Sequence, residues 1–219
     1  MLYRFPPQAS VNRPVPKARI YEHSKVGSAL RNKFISQVEA IVWAYKLAPE
    51  TINLASTPAV PEIQVFDIVL KAQEVDDQVL LAIDRAIPFP IIFRLHHGNR
   101  VRVVAAYKRP SEVDASQWVI EGYVSSEWVA ADVAEQPLPQ ALDLQGLYHQ
   151  LLRSFMDEPG RPGEPLSDHL QRSHQLRVAH NDYRKLESRL QKEKQFNRKV
   201  SLNAELRAVQ QRIDQLRQL

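Results

Sequence analysis

The sequence predicts an α+β protein: a small, mainly antiparallel sheet with helices packed on it, followed by a long C-terminal helix of coiled-coil type. Three observations carry that prediction. Short apolar runs with strand character gather between residues 62 and 125. Segments of helical periodicity flank them on both sides. The last 54 residues, Leu166 to Leu219, contain neither glycine nor proline.

The first residues, up to about Glu22, read as an extended basic arm. Pro6, Pro7, Pro14 and Pro16 oppose a regular helix there, and Arg13, Lys17 and Arg19 supply charge. From Lys25 to Leu47 the spacing predicts a helix, because Leu30, Phe34, Val38, Ile41, Val42 and Tyr45 recur at threes and fours. Pro49 stops it, and residues 51–61 form a loop. Glu62 to Leu70 is a strand with apolar residues on both faces, as in a central position. Val75 to Ile87 is a short helix ended by Pro88-Phe89-Pro90. Two strands, Ile91–His97 and Val101–Lys108, flank the hairpin signal His97-Gly98-Asn99-Arg100. Another strand covers Trp118–Ser125. Asp143 caps a helix running to about Met156 with Leu144, Leu147, Leu151 and Phe155 inward. Antiparallel strands with the helices on one face suit this order.

Residues 157–165, with three prolines and two glycines, have the composition of a linker. The expected organisation is a globular domain over 1–157, a linker over 158–166 and a basic helix over 167–219, started by Ser167 or Asp168. Its stripe runs through Leu176, Tyr183, Leu186, Leu190, Glu193, Phe196, Val200, Asn203, Leu206, Val209, Ile213 and Leu216. Extra steps of three interrupt the heptad alternation, as stammers do. A single helix is preferred to a two-helix hairpin turning near Ser201, since no residue there is a natural C-cap. So narrow a stripe calls for a helical partner, either a second copy or another protein.

Charge is unevenly distributed. Leu166 to Leu219 carries 12 basic and 6 acidic residues, net +6, whereas the preceding residues carry 17 and 19, net −2. The positive tail suits phosphate or an acidic partner. Lys192, Lys194, Arg198 and Lys199 around Phe196 are the candidate nucleic-acid contacts of the tail, and Arg13, Lys17 and Lys46 those of the domain. Phe196, Asn197, Val200, Asn203 and Leu206 are candidate partner contacts.

Enzymatic signatures are sparse. Six scattered glycines build no phosphate-binding loop, and no nucleophile elbow occurs. The seven histidines include His96 and His97 on opposite strand faces and His169, His174 and His180 at spacings of five and six, so no metal site and no cofactor is expected. A metal-dependent nuclease places an acid on one strand and acid-x-Lys on the next. Glu62, Asp67 and Lys108 are the candidates for that alternative, although Ala106 stands where the acid before Lys108 should be. Trp43, Trp118 and Trp128 read as core. The sequence has no cysteine, which excludes disulfides and thiolate sites and suits a reducing, cytoplasmic setting. No apolar run is long enough to span a bilayer, and the first residues are too broken by proline for a signal peptide.

Several stretches resemble a bacterial family of unknown function with members of about this length. They are Val11-Asn12-Arg13-x-x-x-Lys17, Trp43-x-Tyr45-Lys46-Leu47-x-Pro49-Glu50-Thr51-Ile52-Asn53, Glu62-Ile63-x-Val65-Phe66, Ala86-Ile87-Pro88-x-Pro90-x-x-Phe93, Ala106-Tyr107-Lys108 and Phe196-Asn197-x-Lys199-Val200-x-Leu202-Asn203-x-Glu205-Leu206. The resemblance implies genomic neighbours that are helicases and DNA methyltransferases of phage-defence or restriction-like clusters. It therefore implies an accessory subunit of a DNA-processing complex, with a helicase or methyltransferase as partner and DNA as a ligand. It implies no active site. A homodimeric scaffold that ignores nucleic acid is the remaining expectation.

Overall fold

The computed structural model describes residues 2–24, 26–111, 113–114 and 117–218. The expected helix start at Lys25 and the terminal Leu219 lie outside them. The chain divides into two compact units, Met1–Met156 and Asp157–Leu219.

The first unit is α+β. In chain order it holds β1 (Tyr3–Arg4), a 3-10 turn (Pro7–Ala9), β2 (Ser10–Pro14), α1 (Lys17–Ser24), α2 (Ser28–Gln37) and β3 (Val38–Leu47). Then come α3 (Pro49–Ile52), β4 (Ile63–Leu70), α4 (Asp77–Ala86), β5 (Ile91–His97) and β6 (Arg100–Pro110). β7 (Trp118–Ser125), β8 (Val129–Ala130), β9 (Gln136–Pro137) and α5 (Leu144–Ser154) complete it. The main sheet has the order β2-β3-β4-β5-β6-β7, with β8 also on β6. All its pairings are antiparallel except β4–β5, which are parallel and joined through α4. β1 and β9 form a separate short parallel pair.

Two expectations for the N-terminal third are corrected. The proline-rich arm is not simply extended: its prolines punctuate it, and β2 pairs with β3 before α1 begins just after Pro16. The predicted helix over 25–47 is a helix only to Gln37. From Val38 it is a strand in which Val38, Ile41, Ala44 and Leu47 are buried, a spacing of three. The register against β4 shifts at Val38/Ala40 and again at Trp43/Tyr45. Each bulge adds a residue and turns the period of two into one that imitates a helix.

The sheet is covered on both faces, not one. On one face Phe66, Ile68, Phe93, Leu95 and Val104 pack with Ile20 of α1, Phe34 of α2 and Val79, Leu80 and Ile83 of α4. α5 lies on the other, where Tyr148 and His149 meet the ring of Tyr107 at 6.5 and 5.7 Å. Tyr148 also ties α5 to the sheet by donating its hydroxyl to the Ala106 carbonyl and accepting the Lys108 N–H at 3.1 Å. The caps are local and legible: Asp76 accepts the Gln78 N–H to start α4, and Asp143 accepts the Gly146 N–H to start α5. Gly98, at φ 55°, makes the predicted turn between β5 and β6.

The second unit is helical, as expected of the tail, but its helix is not continuous. It comprises α6 (Leu166–Lys192) and α7 (Phe196–Arg217), separated by residues 193–195. The two pack against each other in an antiparallel hairpin. Leu176 and Ala179 meet Ile213 near the open end, while Leu186 meets Leu202 and Leu206 near the turn. The turn falls at 193–195 and not near Ser201. No glycine is needed, because Glu193 and Gln195 take ordinary extended angles. The Glu193 carboxylate accepts the N–H groups of Lys194 and Gln195, both at 2.8 Å.

The stammers disappear once the hairpin is recognised. The inward residues of α6 are Leu176, Ala179, Tyr183, Leu186 and Leu190, and those of α7 are Leu202, Leu206, Val209, Ile213 and Leu216. Their steps are 3-4-3-4 and 4-3-4-3, a regular heptad in each. The extra threes came from running one phase across the turn. Each apolar stripe is thus covered by the other helix of the same chain.

Candidate nucleic-acid interface

The hairpin turn concentrates the positive charge of the tail. Residues 184–199 carry seven basic and two acidic side chains, net +5 of the +6 found in the last 54 residues. Lys192, Lys194, Arg198 and Lys199 are all exposed there. Of the two acids, Glu193 is drawn into the turn, where backbone N–H groups hold its carboxyl below the usual range. It lies 3.9 Å from Arg198. Among the described residues, Lys192, Lys194 and Lys199 form no ion pair. Lys185 and Arg189, which sequence reasoning passed over, are exposed two helical turns and one helical turn before residue 193 and likewise form no ion pair among the described residues. Their spacing of four was the signal, since it sets both on neighbouring turns of one helix.

The candidate partner contacts separate into two groups. Phe196 is 77% exposed and Val200 54%, and Asn197 is exposed beside them. Asn203 is exposed too, but its amide donates to the Lys199 carbonyl at 2.9 Å. Leu206 is withdrawn from any outside partner, being buried against Leu186 and Leu202.

The basic residues proposed for the first unit are mostly occupied. Lys17 donates from Nζ to the Val38 and Phe34 carbonyls, closing the end of α2, and burial lowers its pKa. Lys46 sits between Glu50 at 2.8 Å and Glu62 at 3.2 Å, and its hydrogen bond to Glu50 leads the effects that raise its pKa. Arg13 alone of the three is exposed without such a tie, on β2.

The residues of the nuclease alternative are not gathered. Glu62 faces Lys46 and accepts the Gln64 amide. Asp67 is held by Arg94 through two hydrogen bonds of 2.6 and 2.7 Å, with His96 at 3.1 Å. Although burial opposes it, the bonds from His96 and Arg94 leave the Asp67 carboxyl below its usual pKa. Arg94 in turn lies over the rings of Tyr45 and Phe5 at 5.2 and 5.7 Å. Lys108 faces the opposite side of the sheet. Its Nζ donates to the Asp84 and Ile87 carbonyls at the end of α4 and sits 3.7 Å from the Asp84 carboxylate, which also accepts the Tyr123 hydroxyl. Both members of the pair are essentially buried, at 2% and 1% exposure. Burial raises the Asp84 carboxyl to about 6 and lowers the Lys108 amine to about 8. That arrangement ties β6 and β7 to α4 and presents no reactive group to solvent.

Among the described residues, no group of three His, Asp or Glu side chains is placed to hold a metal ion. A groove of about 790 Å³ beside the start of α5 is lined mainly by apolar residues, including Ile52, Leu54, Leu138 and Leu147. Its one carboxylate, Asp143, is spent as the cap of α5. No described helix is long and apolar enough to cross a membrane.

The 157–165 segment is fastened to α6. Glu164 accepts two hydrogen bonds of 2.8 Å from Arg172, which holds its carboxyl down to about 2. Arg172 also reaches the Pro159 carbonyl, and the His169 ring lies 2.9 Å from the Glu158 carbonyl. α6 starts after Pro165, which takes the cap position two residues before Ser167 and three before Asp168.

Fold and charge thus define an α+β unit joined to a basic helical hairpin. The chain belongs to the family described as Domain of unknown function (DUF4391), which matches residues 4–213. Neither a curated protein nor a solved structure matches it.

Proposed function

We propose that the protein is a non-enzymatic accessory subunit that grips nucleic-acid backbone with the tip of its C-terminal hairpin. The observation that carries this reading is the cluster of exposed cations where the hairpin turns, net +5 over sixteen residues, of which Lys185, Arg189, Lys192, Lys194 and Lys199 form no ion pair among the described residues. Cations so placed meet phosphates without reading sequence. The first unit takes the role of docking a protein partner. By the resemblance in sequence, that partner is a helicase or methyltransferase of a bacterial DNA-processing or anti-phage system. Its own candidate cations are largely tied to neighbouring groups, which leaves the hairpin as the nucleic-acid element. A second copy is not required to cover the tail, since the two stripes cover each other.

The test is charge reversal at Lys192, Lys194, Arg198 and Lys199 together, measured by fluorescence anisotropy with duplexes of several sequences. The expected result is a loss of affinity on the order of a hundredfold, equal across sequences. Unchanged binding would remove the tip from the account.

A further inference from the structure

We infer that the hairpin tip recognises unpaired bases, with Phe196 stacking on an exposed base while the surrounding lysines hold the flanking phosphates. The inference rests on the nucleic-acid reading of the tip and adds a substrate class: single strands, and junctions at which a strand is free.

Phe196 is the anomaly that points there. It is 77% exposed, while each of the other six phenylalanines is buried or half-buried. It has no core to join, because the apolar packing of the hairpin ends at Leu190 and Leu202. As the first residue of α7 it gains nothing in helix propensity over the straight-chain residues that abound in this tail. Val200, one turn further on, widens the apolar surface beside it.

The charges bracket the ring. Lys192 and Lys194 precede it by four and two positions, and Arg198 and Lys199 follow it by two and three. Phosphate contact alone asks for cations, hydroxyls and amides, not for an aromatic ring. A ring among cations adds stacking on the face of a base, the combination that binds single strands with little regard to sequence. Inside a closed duplex every face is already covered by its neighbours, so the ring gains there only at ends or after unstacking. Asn197, next to the ring and with a side chain that makes no hydrogen bond among the described residues, presents an amide that can pair with a base edge.

The experiment compares labelled oligothymidylate with a duplex of equal length, using the full chain and its Phe196→Ala and Phe196→Trp variants, with helicity checked by circular dichroism. The expected outcome has three parts. The unaltered chain prefers the single strand. Phe196→Ala loses roughly five- to a hundredfold in single-strand affinity while duplex affinity holds. Phe196→Trp keeps the preference. A Phe196→Ala chain that binds the single strand as before overturns the inference and leaves the ring to a protein partner. So does a Phe196→Trp chain as weak as the alanine variant. If the unaltered chain binds neither ligand, the nucleic-acid reading of the tip falls as well. If it binds both equally and Phe196→Ala changes nothing, only the stacking inference falls.

Discussion

Replacing Lys108 by methionine tests how the centre of the first unit is held. Methionine keeps the aliphatic stem but removes the donors that serve the Asp84 and Ile87 carbonyls and the cation 3.7 Å from the Asp84 carboxylate. The carboxylate then remains buried without its counter-charge, with the Tyr123 hydroxyl still donating to it. Breaking one side of a buried pair costs about 3–5 kcal/mol. In a unit of this size that lowers the midpoint of thermal unfolding by roughly 6–20 °C. The loss depends on pH. Because burial raises the folded Asp84 pKa to about 6, above its ordinary value, folding takes up a proton as pH falls through that range, and acid stabilises. Without Lys108 the carboxyl titrates higher still, so the cost is greatest above that raised pKa and is relieved below it. The gap between the unaltered and variant chains should shrink by roughly half or more at pH 5. Adding Asp84→Asn should recover most of the loss at pH 7, since removing both charges is far milder than removing one. Urea unfolding followed by tryptophan fluorescence is the assay, because Trp43, Trp118 and Trp128 all lie in the first unit. A gap below about 1 kcal/mol at pH 7, or one that does not change with pH, would refute the reasoning.

Three further predictions concern the hairpin and the occupied cations. Cysteines introduced at the exposed positions Val178 and Gln211 can be labelled selectively, since the chain has none of its own. Label distances should match neighbouring helices about 10 Å apart plus the label arms, whereas one continuous helix would separate the sites by about 50 Å. Leu206→Ala should destabilise the hairpin by about 2–5 kcal/mol and reduce its helicity, while Val200→Ala should leave it unchanged; circular dichroism with urea distinguishes these outcomes. Lys46→Ala should leave duplex affinity within about twofold, because its ammonium already serves Glu50 and Glu62; anisotropy reads this directly.

Much of the first unit was legible because its signals are local. Short apolar runs gave β4 to β7, the turn signal at Gly98-Asn99 gave the β5–β6 hairpin, and Asp143 gave the start of α5. β3 was misread because two bulges space its buried residues by three, a pattern that adjacent sequence does not separate from a helix. The single helix was preferred to the hairpin for a related reason. A turn through extended angles at Glu193 and Gln195 leaves no glycine to mark it, and a stripe traced across it shows only irregular steps. Those steps were the available signal, since each half is regular by itself. At the candidate interface, clustering of Lys192, Lys194, Arg198 and Lys199 is plain in the sequence. The occupation of Lys17 and Lys46 is not, because their partners lie on other elements. Lys108 reads as a solvated strand end, yet the sheet turns it under α4 to meet Asp84.

The most direct test of the central claim is the salt dependence of duplex binding by the full chain. If Lys192, Lys194, Arg198 and Lys199 each neutralise a phosphate, log K should fall with log salt at a slope of about −3 to −4. The slope should flatten toward zero when all four are changed to glutamine. A shallow slope in the unaltered chain, or a steep one that survives the four substitutions, would contradict the claim that the hairpin tip is the nucleic-acid contact.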